Sequence, residues 1–211
     1  MGTIFHSAKG GNCTTVTAAA HAAIKAARGE ANCLVDLCGD LPAVLGIAEP
    51  DGPGVLDWLA ENCDEGVGDL LARAVPVAEN LSLVHRGARF IEGRPRWGEL
   101  VALVCAHRGI VVDAGTGFVP DEVHDAADAS VLVTRPCYLS LRRAVQGRAA
   151  DRVAVVDEPD RALGISDVAH VLGVRSPIRV PHCAAIGRAV DAGLLVARAP
   201  RLFAEMADPT G

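Results

Sequence analysis

Short apolar runs alternate with longer stretches of helical period along the 211 residues. The runs predict strands over 3–6, 33–37, 81–85, 110–113, 130–134, 153–156 and 178–180. Between them, apolar positions recur at helical spacing and predict helices over 14–28, 55–61, 67–74, 97–107, 139–148, 166–172 and 184–192. The first helix is rich in Ala and stops at Gly29. In 97–107, Trp97, Leu100, Val101, Val104 and Cys105 share one face. Residues 39–54 carry several Pro and Gly and read as a loop with a short helix near 43–46; residues 198–206 close the chain.

Continuous apolar strands separated by helices predict an α/β fold: a doubly wound, mostly parallel sheet with helices on both faces. No internal repeat or linker interrupts the pattern, so 1–211 reads as a single domain. Composition agrees, since half the residues are hydrophobic and only 3% are aromatic. Ala, Val, Leu and Gly suit close-packed helices on a sheet. The net charge of −6 argues against a protein that coats nucleic acid. Seven cysteines form no C-x-x-C pair and read as reduced, buried side chains of a cytoplasmic protein. No charged-then-apolar leader and no run of about 18 apolar residues is present, which predicts no signal peptide and no integral membrane association.

Candidate chemistry gathers at strand C-terminal ends, where open parallel sheets bind ligands. The first strand runs into Ser7–Ala8–Lys9–Gly10–Gly11–Asn12–Cys13–Thr14–Thr15 and then the Ala-rich helix. Glycines let backbone N–H groups approach an anion, and the helix N-terminus adds its dipole. A full phosphate loop reads G-x-x-x-x-G-K-[ST]. This one keeps glycines and hydroxyls but lacks the Gly-Lys pair, and Cys13 stands where the lysine is expected. Two further strands end in aspartate, at Asp36–Leu37–Cys38–Gly39–Asp40 and Asp113–Ala114–Gly115–Thr116–Gly117. Such an aspartate suits a place near Mg²⁺ and a terminal phosphate. Taken alone, Gly10–Gly11 also suits a plain strand-to-helix turn.

These motifs, in this order, resemble the deviant-phosphate-loop ATPases of the ParA/MinD type, a P-loop NTPase class. The likeness covers nearly the whole chain and is strongest to the pilus-assembly-associated (CpaE/TadZ-like) branch. The family loop K-G-G-x-G-K-[ST]-[ST] is matched by residues 9–15, one residue short in this reading. The resemblance implies ATP and Mg²⁺ as ligands. It assigns phosphate contacts to Lys9, Gly10, Gly11, Asn12, Cys13, Thr14 and Thr15, and metal contacts to Thr14, Asp36 and Asp113. Lys9 would also reach a partner's nucleotide in a sandwich homodimer, and Asp36 would join it in catalysis. Cys38 falls where the family has the aspartate that orients water. Pro181 opens a segment like the one that flanks adenine, and Asp157–Glu158 stands where relatives place an Asn that reads it.

Losing a charge-assisted contact to the transferring phosphoryl group costs about 2–4 kcal/mol of transition-state stabilisation. The expectation is therefore an ATP-binding dimerisation switch that positions or recruits a protein cargo, with weak or absent hydrolysis. A nucleotide-independent scaffold with the same fold is the alternative. A third reading, nonspecific DNA binding, needs Arg142, Arg143, Arg148, Arg188, Arg198 and Arg201 on one face. An ordinary solvated helix surface explains those arginines more simply.

Overall fold

The computed structural model describes residues 1–61, 67–90 and 95–210. In chain order the elements are β1 (Thr3–His6), α1 (Thr14–Ala27), β2 (Asn32–Asp36), α2 (Leu41–Leu45), α3 (Val55–Ala60), α4 (Val67–Ala72), β3 (Val75–Ala78), β4 (Leu81–Val84) and α5 (Trp97–Ala106). They continue with β5 (Ile110–Gly115), α6 (Asp121–Asp125), β6 (Ala129–Thr134), α7 (Tyr138–Gln146), β7 (Arg152–Val156), α8 (Ile165–Leu172), β8 (Ile178–Val180), α9 (Ala184–Asp191) and α10 (Leu195–Leu202). The eight strands form one sheet in the order β3-β4-β2-β5-β1-β6-β7-β8. Every pairing is parallel except β3 with β4.

The sheet is covered on both faces because neighbouring strand residues point to opposite sides. Phe5 packs with α1, α2, α9 and α10, whereas Ile4 packs with α3, α4, α5 and α6. Leu132, Val153 and Val155 bury a third cluster under α7 and α8. Alanine decides the position of α1. Ala18, Ala19, Ala20 and Ala22 are fully buried, and their small side chains let the helix lie between the sheet and α10.

Three elements depart from the sequence reading. Val75–Ala78 is a strand, joined to β4 by Glu79 and Asn80, with Asn80 at φ 58°. Pro76 disguises it, and the sheet edge is where a strand tolerates proline. Asp121–Asp125 is a short helix too polar to show an apolar period. The last helix, Leu195–Leu202, contains Pro200 and begins before the closing segment 198–206. Among the described residues, no helix is long and apolar enough to cross a membrane.

The topology places the candidate residues. β1 lies between β5 and β6, so the loop after β1 opens at the middle of the sheet's C-terminal edge. In the β2–β5 ladder Asp36 is registered against Asp113, which puts the two carboxylates side by side at that edge.

Candidate phosphate and switch site

The loop after β1 is held by a chain of hydrogen bonds. Cys137 Sγ donates to Ser140 Oγ (3.1 Å), which donates to Asn12 Oδ1 (3.0 Å). Asn12 Nδ2 donates to Ser7 Oγ (2.7 Å), which donates to the Val133 carbonyl (2.8 Å). Asn12 is buried, so its amide ties the loop to β6 and to the start of α7. On either side of Asn12 the backbone turns left-handed, at Gly11 (φ 79°) and Cys13 (φ 62°). Glycine adopts that region freely; for a cysteine it is a strained conformation. Alternating hands of this kind gather N–H groups into an anion-binding concavity. No side chain caps α1, so the N–H groups of its first turn have no partner within the helix.

Two cations stand at the loop. Lys9 Nζ folds back onto the Gly10 carbonyl at 2.8 Å. Arg135, one residue beyond β6, donates from Nη1 to the Gly11 carbonyl at 3.3 Å. Its Nε binds Glu158 Oε2 at 2.8 Å, and Nη2 pairs with Glu158 Oε1. The pairing raises Arg135 and lowers Glu158 relative to their ordinary values. Burial pushes the nearby Cys13 thiol up, with Arg135 opposing the shift.

The ends of β2 and β5 form the second part. Asp36 is fully buried and accepts three backbone N–H groups, from Cys38 (3.0 Å), Gly39 (2.7 Å) and Leu41 (3.0 Å). Burial raises its carboxyl despite those bonds. Cys38 Sγ lies 3.1 Å from Asp113 Oδ2, 3.4 Å from Asp36 Oδ1 and 3.8 Å from Thr15 Oγ1. Burial and the two carboxylates drive the thiol far above its ordinary range, so it stays neutral and donates. Burial also pushes Asp113 up to about 6, against hydrogen bonds from Cys38 and Thr15. Glycine is required at Gly115, where φ is 52° and an added Cβ would sit 2.9 Å from Cys38 Cβ.

A cavity of about 440 Å³ joins the two parts, bounded by the loop from Lys9 to Val16 and by Cys38, Asp40, Val44 and Thr116. All seven loop residues singled out in the sequence border it. The metal-ligating atoms of Asp36, Cys38 and Asp113 lie within 4.8 Å of one another beside it. Thr15, rather than Thr14, faces Asp113; Thr14 is buried at the first position of α1. Pro181 follows β8, three strands from β1, and does not border the cavity.

Sequence reasoning missed Ser7, Ser140 and Arg135. Arg135 had a usable signal, because it follows an apolar strand as the other site segments do. The dispersed arginines do not converge. Arg142 and Arg143 lie on α7, on one face of the sheet, while Arg188, Arg198 and Arg201 lie on α9 and α10, on the other. Arg148 is paired with Asp121 and Asp125.

No protein-family model matches the sequence, and a search of curated proteins returns no match. Solved structures do match. A ParA family ATPase from Chlorobium tepidum superposes with TM-score 0.74 at 21% identity, covering 94% of this chain and 92% of that one. The septum site-determining protein MinD from Pyrococcus horikoshii, complexed with Mg-ADP, gives 0.74 at 16% identity over 94% and 88%. The MinC:MinD cell division complex of Aquifex aeolicus gives 0.70 at 16% identity over 99% and 98%. The loop, the paired strand-end aspartates and these superpositions agree: the chain has the α/β fold of the ParA/MinD-type P-loop ATPases.

Proposed function

We propose that this chain is a ParA/MinD-like nucleotide-binding switch that positions or recruits a protein cargo, with slow or absent hydrolysis. One observation carries the reading. The uncapped start of α1 and the left-handed Gly11 and Cys13 open onto a cavity beside Thr15 and Asp113. That arrangement suits a phosphate chain with a divalent cation.

The conformation of Cys13 also supports a different register for the loop. Left-handed backbone is the region glycine adopts most readily, which suits the last glycine of K-G-G-x-G-K-[ST]-[ST] at that position. On that register the loop is full length, with Cys13 on the glycine, Thr14 on the lysine and Thr15 on the first hydroxyl. Backbone N–H groups and Lys9 would then hold phosphates, and Thr15 and Asp113 would hold Mg²⁺, which neutralises phosphate charge when bound. Asp36 serves the turn after β2 as its backbone cap. Cys38, a neutral donor where a carboxylate is expected, does not accept a proton from water. Binding on backbone donors with impaired turnover follows from these substitutions.

The structural neighbours support the wider reading, since one carries Mg-ADP and another is a complex with a protein partner. In the proposed homodimer, Lys9 would leave Gly10 to reach the second copy's nucleotide. This reading keeps the chain in the cytoplasm, where its free thiols stay reduced. The scaffold reading also has an observation in its favour: Asn12, Lys9 and Arg135 are already satisfied by the protein itself.

The test is a thermal melt with and without millimolar Mg²⁺-ATP, on the wild type, Lys9→Ala and Arg135→Ala. Nucleotide at a hundred times its Kd stabilises the native state by about 2.7 kcal/mol, and the transition moves up accordingly. Each variant is expected to need roughly tenfold more nucleotide for the same shift. An unmoved transition at saturating nucleotide would sink the switch and leave the scaffold.

A further inference from the structure

A second cavity, of about 480 Å³, opens on the same edge of the sheet but away from the phosphate loop. Leu37, Leu56, Pro95, Trp97 and Phe118 line it, with Arg86 as the one charged wall residue among the described residues. The volume falls within the roughly 300–1,000 Å³ of clefts that take ligands or anchoring side chains.

Its rim is aromatic and cationic. Phe118 is 78% exposed and Phe90 is 73% exposed, in a chain with only four phenylalanines. The Arg86 guanidinium lies 5.3 Å from the centre of the Phe90 ring. Among the described residues Arg86 has no acidic partner. Asp57 of α3 is occupied: it accepts the N–H groups of Gly54 (2.8 Å) and Ala88 (3.1 Å) and stands 3.8 Å from Arg89. Arg89 is itself 61% exposed. Arg86 in the wall and Arg89, shared with Asp57, thus set positive charge on one side of an apolar cleft in a chain of net charge −6.

Aromatic residues and arginine concentrate at the energetic centres of protein interfaces. A small molecule filling the cleft would leave Phe90 in water, whereas a polypeptide covers cleft and rim together. A second copy docked through the same patch would set Arg86 and Arg89 against their own equivalents, because a two-fold contact is self-matching. Complementary charge must come from elsewhere.

We propose that the cleft between α3, the start of α5 and the segment after β5 docks a segment of a partner protein that presents an aromatic or branched aliphatic side chain flanked by carboxylates. The apolar side chain enters between Leu56, Trp97 and Phe118, and the carboxylates pair with Arg86 and Arg89. This assignment does not require nucleotide. The cleft also touches the switch, since the Arg86 stem lies over Gly39, where an added Cβ would meet Arg86 Cδ at 3.0 Å.

The experiment is selection from a random peptide display library against the immobilised full chain without nucleotide, followed by titration of the enriched peptides. Trp97 fluorescence reports binding, and a Trp97→Phe control removes the signal. Enrichment of acidic peptides with a Phe, Trp or Leu core is expected. Arg86→Glu should weaken them roughly 10- to 100-fold, and Phe118→Ala roughly tenfold, with melting temperatures unchanged. Phe118 is so exposed that its truncation spares the fold even if Arg86→Glu does not. No enrichment, enrichment of basic peptides, or binding indifferent to both variants overturns the proposal. Phe118-dependent self-association in light scattering overturns it in favour of a second copy. A chain that ignores Mg²⁺-ATP yet binds these peptides retires the nucleotide switch and keeps this cleft.

Discussion

The loop after β1 and the turn after β2 face one cavity but divide its properties differently. In the loop the backbone shape is set by few groups: Cys13 holds a left-handed turn without being glycine, and Asn12 holds it from beneath. The turn after β2 keeps its aspartate but uses it for its own backbone, and a thiol stands between the two carboxylates. In the first region an amide and backbone conformation set the shape; in the second, a carboxylate serves the fold.

Titration of the buried groups flanking the two regions should give the largest effect. His6 ends β1 and His21 lies in α1, and burial lowers both to about 4 from 6.5. Their neutral forms belong to the folded state, so their contribution is full above pH 6.5 and is lost as pH falls through about 4. Each should cost about 3 kcal/mol over that range. Asp113, raised from 3.8 to about 6, works the other way: its contribution is full below 3.8 and is lost as pH rises through 6. Urea unfolding between pH 4 and 7 should show stability rising with pH. His21→Leu should flatten that rise and Asp113→Asn should steepen it. Equal slopes in both variants would show that burial does not shift His21 and Asp113 in opposite senses.

Next in size is Asp36→Ala, which strips three backbone N–H groups of their acceptor in a buried place. It should destabilise the chain by about 3 kcal/mol, read from the urea midpoint. A loss under 1 kcal/mol would show that the turn after β2 does not depend on its carboxylate. Asn12→Ala removes the matching support of the loop and should cost about 2 kcal/mol, together with faster amide exchange at residues 9–13. Unchanged exchange there would mean that the glycines alone hold the cradle. The smallest effect is expected from Cys13→Gly. Relief of the left-handed strain, less the added chain entropy, should raise stability by roughly 0.5 kcal/mol. A loss instead would show that the cysteine side chain packs well enough to outweigh its backbone.

Much of this fold was legible in order and spacing. Alternating apolar strands and helices, an Ala-rich first helix and three strand-end motifs pointed to a doubly wound sheet with its site at one edge. β3 and α6 were not legible, because Pro76 and a run of acidic residues hide elements that the sheet edge and the neighbouring strands support. At the site, residue types were readable but their duties were not. Lys9, Asp36 and Cys38 stand where motif spacing puts them, yet nothing in their order shows Lys9 folded onto Gly10, Asp36 spent on backbone, or a thiol shared between carboxylates.

By itself, the sequence determined the hydrophobic pattern and hence the layers, the glycine turn after β1, and the absence of a lysine at the start of α1. These are local properties, set by residue type and period. Tertiary structure alone decided that Asn12 bonds to Ser140, that Arg135 reaches Gly11, that Thr15 faces Asp113, and that Leu56, Arg86, Trp97 and Phe118 line one cleft. Such contacts join segments far apart in the chain, and only the strand order of the sheet brings them within reach of one another.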